Sequence, residues 1–215
     1  MWCVGRINAE YRERMYDLID LYHRPYNPKE PVVCMDEKSK QLLSNSRTSL
    51  KGNIRKIDYE YVRHGTRNIF LAVEPKAGKR NVEVTKTRKK IDFAIYIKSL
   101  VDTDYANADV IHIVLDNLNT HFPKSFHETF EKEEAERLLS KVKFHYTPKH
   151  ASWLNMAEIE IGIMDKQCLK KRIPSEKLLK SELLAWENER NYKNSKIVWS
   201  FSKQDADHKL SRHHT

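Results

Sequence analysis

Glycine is scarce in this 215-residue chain, at 5 positions, and cysteine scarcer still, at 3. So little glycine excludes collagen-like and Gly/Ser-linker compositions. Cys3, Cys34 and Cys168 are odd in number and far apart, with no CxxC and no Cys/His spacing suited to zinc. Cys34 sits in an apolar run and reads as a small core residue, consistent with a reducing compartment. Long apolar runs are missing too: the longest aliphatic or aromatic ones are about five residues, as in Ile69–Val73, against the roughly 20 of a membrane helix. The opening MWCVGRINAEYRER has no apolar h-region, so no signal peptide is expected.

What is present is a foldable, basic chain. Four Trp, 10 Tyr and 7 Phe, within an apolar share of 40%, are too many for a disordered polymer. Lys and Arg number 39 against 30 Asp and Glu, a net charge of +9, with 10 His besides. That charge suits an anionic polymer as partner without requiring one. The length fits one medium domain plus a short appendage. A soluble, cytoplasmic protein is expected.

Residues 7 to about 22 place Ile7, Tyr11, Met15 and Leu18 on one helical stripe, and Pro25, Pro28 and Pro31 then break the helix. The expected division is an N-terminal helix and linker over 1–30, a main domain over 31–200 and a polar tail over 201–215. VVCMDE reads as a short buried strand. Between Asp58 and Lys86, Asn68–Glu74 and Asn81–Lys86 read as strands joined by a turn holding Pro75 and Gly78. A helix from Lys89 to Val101 follows, then DVIHIVLDN, whose continuous apolarity suits a parallel strand buried on both faces. One helix after Pro123, a strand at Val142–Tyr146, a helix from about Leu154 to Leu169 and another capped by Ser175 complete the order. This predicts an α/β fold, a mixed five-stranded sheet with helices on both faces. The ribonuclease-H-like fold has this order, as do other three-layer α/β folds.

Three acids stand out. Asp36 and Asp116 each end an apolar strand, where a carboxylate must be solvated, hydrogen-bonded or bound to a cation. If the strands are parallel neighbours, both project from the edge where open α/β sheets bind ligands. The plainer reading is that each acid opens a loop. In the helix SWLNMAEIEIGIMDKQCL, Glu158, Gly162 and Asp165 share a stripe, with Glu160 off it. Glu158 is thus the better third ligand, Asp165 a helper behind it, and Glu160 a surface or ion-pair residue; the alternative is a solvated helix face. Three convergent carboxylates without Cys or His select hard cations such as Mg²⁺ or Mn²⁺. A pair of these roughly 3.5–4 Å apart can clamp a phosphodiester.

The segments VVCMDEKSKQLL, YEYVRHGTRNIFLAVEP, VIHIVLDNLNTHFPKSF, FHYTPKHASWLNMAEIE and WSFSKQDADHKL closely resemble bacterial insertion-sequence transposases of the mariner superfamily, in particular the insertion sequence 630 group, whose catalytic unit is a DDE endonuclease. The resemblance runs from about Pro31 to the C-terminus. It implies a ribonuclease-H-like catalytic domain that uses two Mg²⁺ or Mn²⁺ ions. Asp36, Asp116 and Glu158 would be their ligands, and Asn117 and His121 match the motif around the second aspartate. It also implies DNA as partner, both transposon ends and target at TA, and a homodimer as the active complex.

Three departures stand beside it. The family's LNPIE reads here Leu154-Asn155-Met156-Ala157-Glu158, and 41 residues lie between Asp116 and Glu158, a longer gap than usual. No helix-turn-helix is expected before Asp36, so the chain reads as a catalytic half. Basic residues fit a DNA path: Lys76, Lys79, Arg80, Lys86, Arg88, Lys89 and Lys90, then Lys149 and His150, with Lys166 and Lys170 to Arg172 after the helix. Any one of them is equally a solvated surface residue. Trp153 is either a base-stacking ring or a core residue, and His121 orients either a phosphate or the Asp116 loop. Two rival functions remain: an inactive DNA-binding remnant, and a plain metal-dependent nuclease that cuts without joining.

Overall fold

The computed structural model describes residues 7–46 and 59–210; Cys3 and Asp58 lie outside them. Helix α1 (Ala9–His23) is capped by Asn8, whose side chain accepts from the Tyr11 amide at 2.8 Å. It buries Met15, Leu18, Ile19 and Leu21 with Tyr11 and Tyr22. At roughly 1.5–3 kcal/mol for each large aliphatic side chain, that burial binds α1 to the main core. A helix leading into a linker was expected here; the structure makes it part of the domain.

Strand β1 (Val32–Asn45) runs far beyond the apolar VVCM because its polar half pairs antiparallel with β2 (Tyr61–Glu74). Backbone partnership, rather than side-chain apolarity, carries it onward. The turn to β3 (Lys79–Thr85) uses Gly78 at φ +69°, where a Cβ would also stand within 2.5 Å of Asn194. Next come α2 (Lys90–Ser99), extended by a π-turn at Leu100–Asp104, and β4 (Ile111–Leu115), buried throughout. The single helix expected after Pro123 is two, α3 (Lys124–His127) and α4 (Lys132–Lys141), and β5 (Val142–Tyr146) follows. A 3₁₀ turn at Ser152–Leu154 leads into α5 (Met156–Met164), which a π-turn extends over Asp165–Leu169. Ser175 caps α6 (Glu176–Tyr192) as expected, accepting from the Leu178 amide. The stretch expected as a polar tail contains α7 (Lys203–Leu210), with Ala206 and Leu210 buried in the same core as α1.

The sheet order is β3-β2-β1-β4-β5, with β1, β4 and β5 parallel and the β1-β2-β3 meander antiparallel. This is the mixed, ribonuclease-H-like arrangement expected. Alternation along the strands splits the core. Cys34, Leu71 and Val114 face α1, α5, α6 and α7, while Val33, Met35, Phe70, Ile113 and Leu115 face α2, α3 and α4. On the outer edge, Asn191 of α6 accepts from the Arg80 amide at 2.7 Å and donates to its carbonyl at 2.9 Å, protecting β3 from further pairing. Among the described residues no helix is long and apolar enough to cross a membrane.

Candidate active site

Parallel pairing of Val33 with Ile113 and Cys34 with Val114, continued two residues, sets Asp36 level with Asp116 just past the end of β4. Asp36 shares the face of Cys34, the face that α5 covers. Glu158 stands exposed in the first turn of α5, one of the helices on that face. Burial pushes the Asp36 carboxyl up to about 7. The Glu37 amide, donating to Asp36 Oδ1 at 2.8 Å, opposes the rise, and the negative charges of Glu158, Glu37 and Asp116 reinforce it. The three predicted acids are therefore electrostatic neighbours.

Two buried side chains fix the outer acids to β1. Asn155 caps α5, its Oδ1 accepting from the Ala157 amide at 3.1 Å, while its Nδ2 donates to the Met35 carbonyl at 2.8 Å. The helix that carries Glu158 is thus bonded to the residue before Asp36. Tyr22 adds a bond from its hydroxyl to the Leu154 carbonyl at 2.6 Å. On the other side, the fully buried His121 ring bridges Asp116 Oδ1 at 2.8 Å and Glu37 Oε1 at 3.0 Å. Burial works against a charged imidazole, but the bonds to Asp116 and Glu37 outweigh it and raise His121 to about 9. Burial likewise works upward on Asp116; the His121 bond and charge, the Leu118 amide and the Arg88 charge hold it below its ordinary value. His121 thus ties the Asp116 carboxylate to Glu37 of β1. Asn117 donates to the Thr147 carbonyl and accepts from Arg14 at 2.8 Å.

Of its two expected roles, surface or ion pair, Glu160 takes the ion pair. Its carboxylate is fully buried, bonded by Arg80 (Nε–Oε1 3.0 Å, Nη2–Oε2 3.1 Å) and by Arg190 (Nη2–Oε1 2.6 Å). This corrects Arg80 as a DNA-path residue: its guanidinium is wholly inside, spent on Glu160 and the Gly78 carbonyl. Lys79 pairs with Asp104 at 3.0 Å and sits opposite Glu74, at the end of the β2–β3 ladder away from the Asp36 level. Lys86, Arg88 and Lys89 are exposed beyond the end of β3, on the carboxylate side, and Arg88 acts electrostatically on Asp116. Lys90 is paired with Glu128 at 2.8 Å. Lys149 and His150 are exposed beside Asn117. Trp153 is half-buried and meets Phe201 edge-on at 5.4 Å, on the rim of a cavity of about 390 Å³ that includes Glu158. Asp165 pairs with Lys38 at 3.2 Å, farther along the same α5–β1 contact.

Glu37, Arg14 and Asn155 escaped the sequence reading. Asn155 left a usable signal, an Asn immediately before an apolar helical run; the other two left none, because their partners lie 84 and 103 residues away.

Among the described residues, no three His, Cys, Asp or Glu side chains stand close enough to ligate one ion as they are. The donor chemistry nevertheless fits a hard divalent cation: three carboxylates, two of which raise the third by repulsion, a balance that a bound cation reverses.

The model of the DDE superfamily endonucleases matches residues 31–180. No curated protein matches. Among solved structures, the Mos1 mariner strand transfer complex is 15% identical with a TM-score of 0.56, covering 91% of this chain and 62% of that one. The Mos1 mariner paired-end complex with Mn is 13% identical with a TM-score of 0.54, covering 91% and 61%, and the paired-end complex with Mg is 14% identical with a TM-score of 0.52, covering 99% and 63%. These likenesses establish the fold, and the chain spans about three fifths of the length of those proteins. With residues 31–180, the greater part of its length, matched by that model, the chain belongs to the DDE superfamily of endonucleases.

Proposed function

We propose that this chain is the catalytic domain of a transposase, which hydrolyses phosphodiesters at transposon ends and joins the freed 3′-hydroxyl to target DNA, at TA as the sequence resemblance implies. One observation carries the reading: Asp36 on β1 and Asp116 just past the end of its parallel neighbour β4 follow paired strand residues, and Asp116 and Glu158 both act electrostatically on Asp36. Asp36, Asp116 and Glu158 would together hold two Mg²⁺ or Mn²⁺ ions. Such ions activate the attacking water or hydroxyl and stabilise the departing oxygen.

The chain's own residues supply the rest. His121 holds Asp116 as an oriented anion, and Asn155 keeps Glu158 in step with β1. Lys86, Arg88, Lys89, Lys149 and His150 offer phosphate contacts, which give salt-dependent affinity without sequence preference. The similar structures are a strand transfer complex and paired-end complexes, which favours transposon-end DNA as partner and a second copy of the chain in the active assembly. The DNA of the cytoplasmic nucleoid is then its place of work.

Incubation with a transposon-end duplex and a target duplex in Mg²⁺ or Mn²⁺, followed by product analysis, tests this. Cut ends plus joined strands are expected. Cuts alone would make it a plain nuclease, and no cuts an inactive DNA-binding remnant.

A further inference from the structure

Arg14, on α1, lies outside the basic stretches at 76–90, 149–150 and 166–172, yet its guanidinium reaches the residue after Asp116. Nη1 donates to Asn117 Oδ1 at 2.8 Å and Nη2 pairs with Glu10 at 2.9 Å. Asn117 is itself tied down through its bond to the Thr147 carbonyl. Behind this contact lies a cavity of about 310 Å³, polar in much of its lining, walled by α1 on one side and on the other by Asn117 and the Pro148-Lys149-His150 loop after β5. His150 holds φ at +60°, a left-handed conformation uncommon for a residue with a Cβ. Such backbone is characteristic of places where a loop is held for a purpose.

We infer that this cavity is a phosphate subsite, taking a backbone phosphate of the strand cleaved next door, with Arg14 as its principal donor. The inference rests on the transposase reading and extends it to α1. A guanidinium has five N–H donors, so the bonds to Asn117 and Glu10 leave others free while holding the fork in place. Prior anchoring reduces the side-chain freedom lost when the anion arrives. Lys149 adds a second cation to the lining, and His150 a polar imidazole. Successive phosphates advance about 3.4 Å along the axis per nucleotide of one strand. A phosphate within a few nucleotides of the one at the carboxylates can therefore reach a site that begins at Asn117. Among the described residues Glu10 is the one acid in the lining. It fixes Arg14 but repels the ligand, so the subsite predicts that removing its charge improves binding.

The test is the affinity of the whole chain for a fluorescent duplex, titrated over a series of salt concentrations, with thermal melting as a check on folding. Arg14→Gln should weaken binding severalfold and lower the slope of log K against log salt by about 0.9, the loss of one phosphate contact. Arg14→Lys should restore part of the affinity. Glu10→Gln should tighten binding by more than Glu13→Gln, which makes the same charge change at an exposed position of α1 outside the cavity. An Arg14→Gln protein with normal melting, affinity and slope overturns the subsite, as does a Glu10→Gln gain no larger than that of Glu13→Gln. A wild-type chain that binds no DNA at low salt overturns the transposase reading itself, and the subsite with it.

Discussion

The side-chain amide of Asn155 donates to the main-chain carbonyl of Met35 across 2.8 Å, joining the first residue of the α5 cap to the residue before Asp36. Asn155 is only 2% exposed, and its other amide atom is committed to the Ala157 amide. One side chain therefore sets where Glu158 stands relative to Asp36.

Asn155→Ala removes a helix cap, worth about 1 kcal/mol, and leaves the buried Met35 carbonyl without that donor, at about 1–3 kcal/mol. The expected result is a destabilised but folded protein whose cleavage rate falls more than its DNA affinity. Denaturant unfolding and single-turnover cleavage measure the two. A variant that loses stability but cleaves at the wild-type rate would show that the bond serves the fold alone.

The two glutamates of α5 should behave oppositely. Glu158→Gln alters an exposed side chain, so unfolding should scarcely change while cleavage disappears. Glu160→Gln strips the charge from a carboxylate held between Arg80 and Arg190, leaving buried guanidinium uncompensated, and breaking such a pair costs about 3–5 kcal/mol. Parallel denaturant melts of the two variants decide the matter; equal stabilities would contradict the buried pairing.

Metal should act on stability through Asp36. A carboxyl raised to about 7 from 3.8 stabilises the fold fully only below 3.8, and that contribution is lost as pH rises through about 7. In chelator at pH 8 the ionised Asp36 thus opposes folding, and Asp36→Asn should melt higher than wild type. Adding Mn²⁺ should raise the wild-type midpoint, because an ion bound only to the folded state stabilises it, and should leave Asp36→Asn unmoved. An equal shift in both proteins would remove Asp36 from the ion site.

A separate pH dependence lies under α1. Arg24 of the loop after α1 donates to His112 Nε2 at 3.1 Å, His112 Nδ1 meets His145 Nε2 at 2.9 Å, and His145 Nδ1 meets Asp17 of α1 at 2.8 Å. With Arg24 donating, a neutral His112 must carry its proton on Nδ1, so each bond in the chain has a fixed direction. Burial pushes His112 down to about 4, helped by His145, Arg24 and Lys143 and opposed by Glu30; burial also lowers His145, against the pull of Asp17. A depressed histidine stabilises the fold above its unfolded value, near 6.5, and the contribution drains away as pH falls from there toward 4. Unfolding midpoints at pH 7 and pH 5 should differ more for wild type than for His112→Gln, and identical differences would count against the chain.

Local chemistry made much of this molecule legible from its residues alone. An apolar run ending in an acid marks a buried strand and its mouth, which is why Asp36 and Asp116 stand out in the sequence itself, and Val142–Tyr146 and the Ser175 cap are local signals of the same kind. The length of β1 was not legible, because hydrogen bonds from β2 sustain its polar half. Nor was the fate of Arg80. Along a strand it is one more cation in a basic stretch, and only the folding of Glu160, 80 residues on, against its guanidinium, with Arg190 sharing the same carboxylate, makes it a core residue. Glu37, His121, Asn155 and Arg14 share that dependence. Sequence spacing decides which side chains share a face, but a buried polar group takes its role from the partner that compensates its desolvation, and that partner is chosen by tertiary structure.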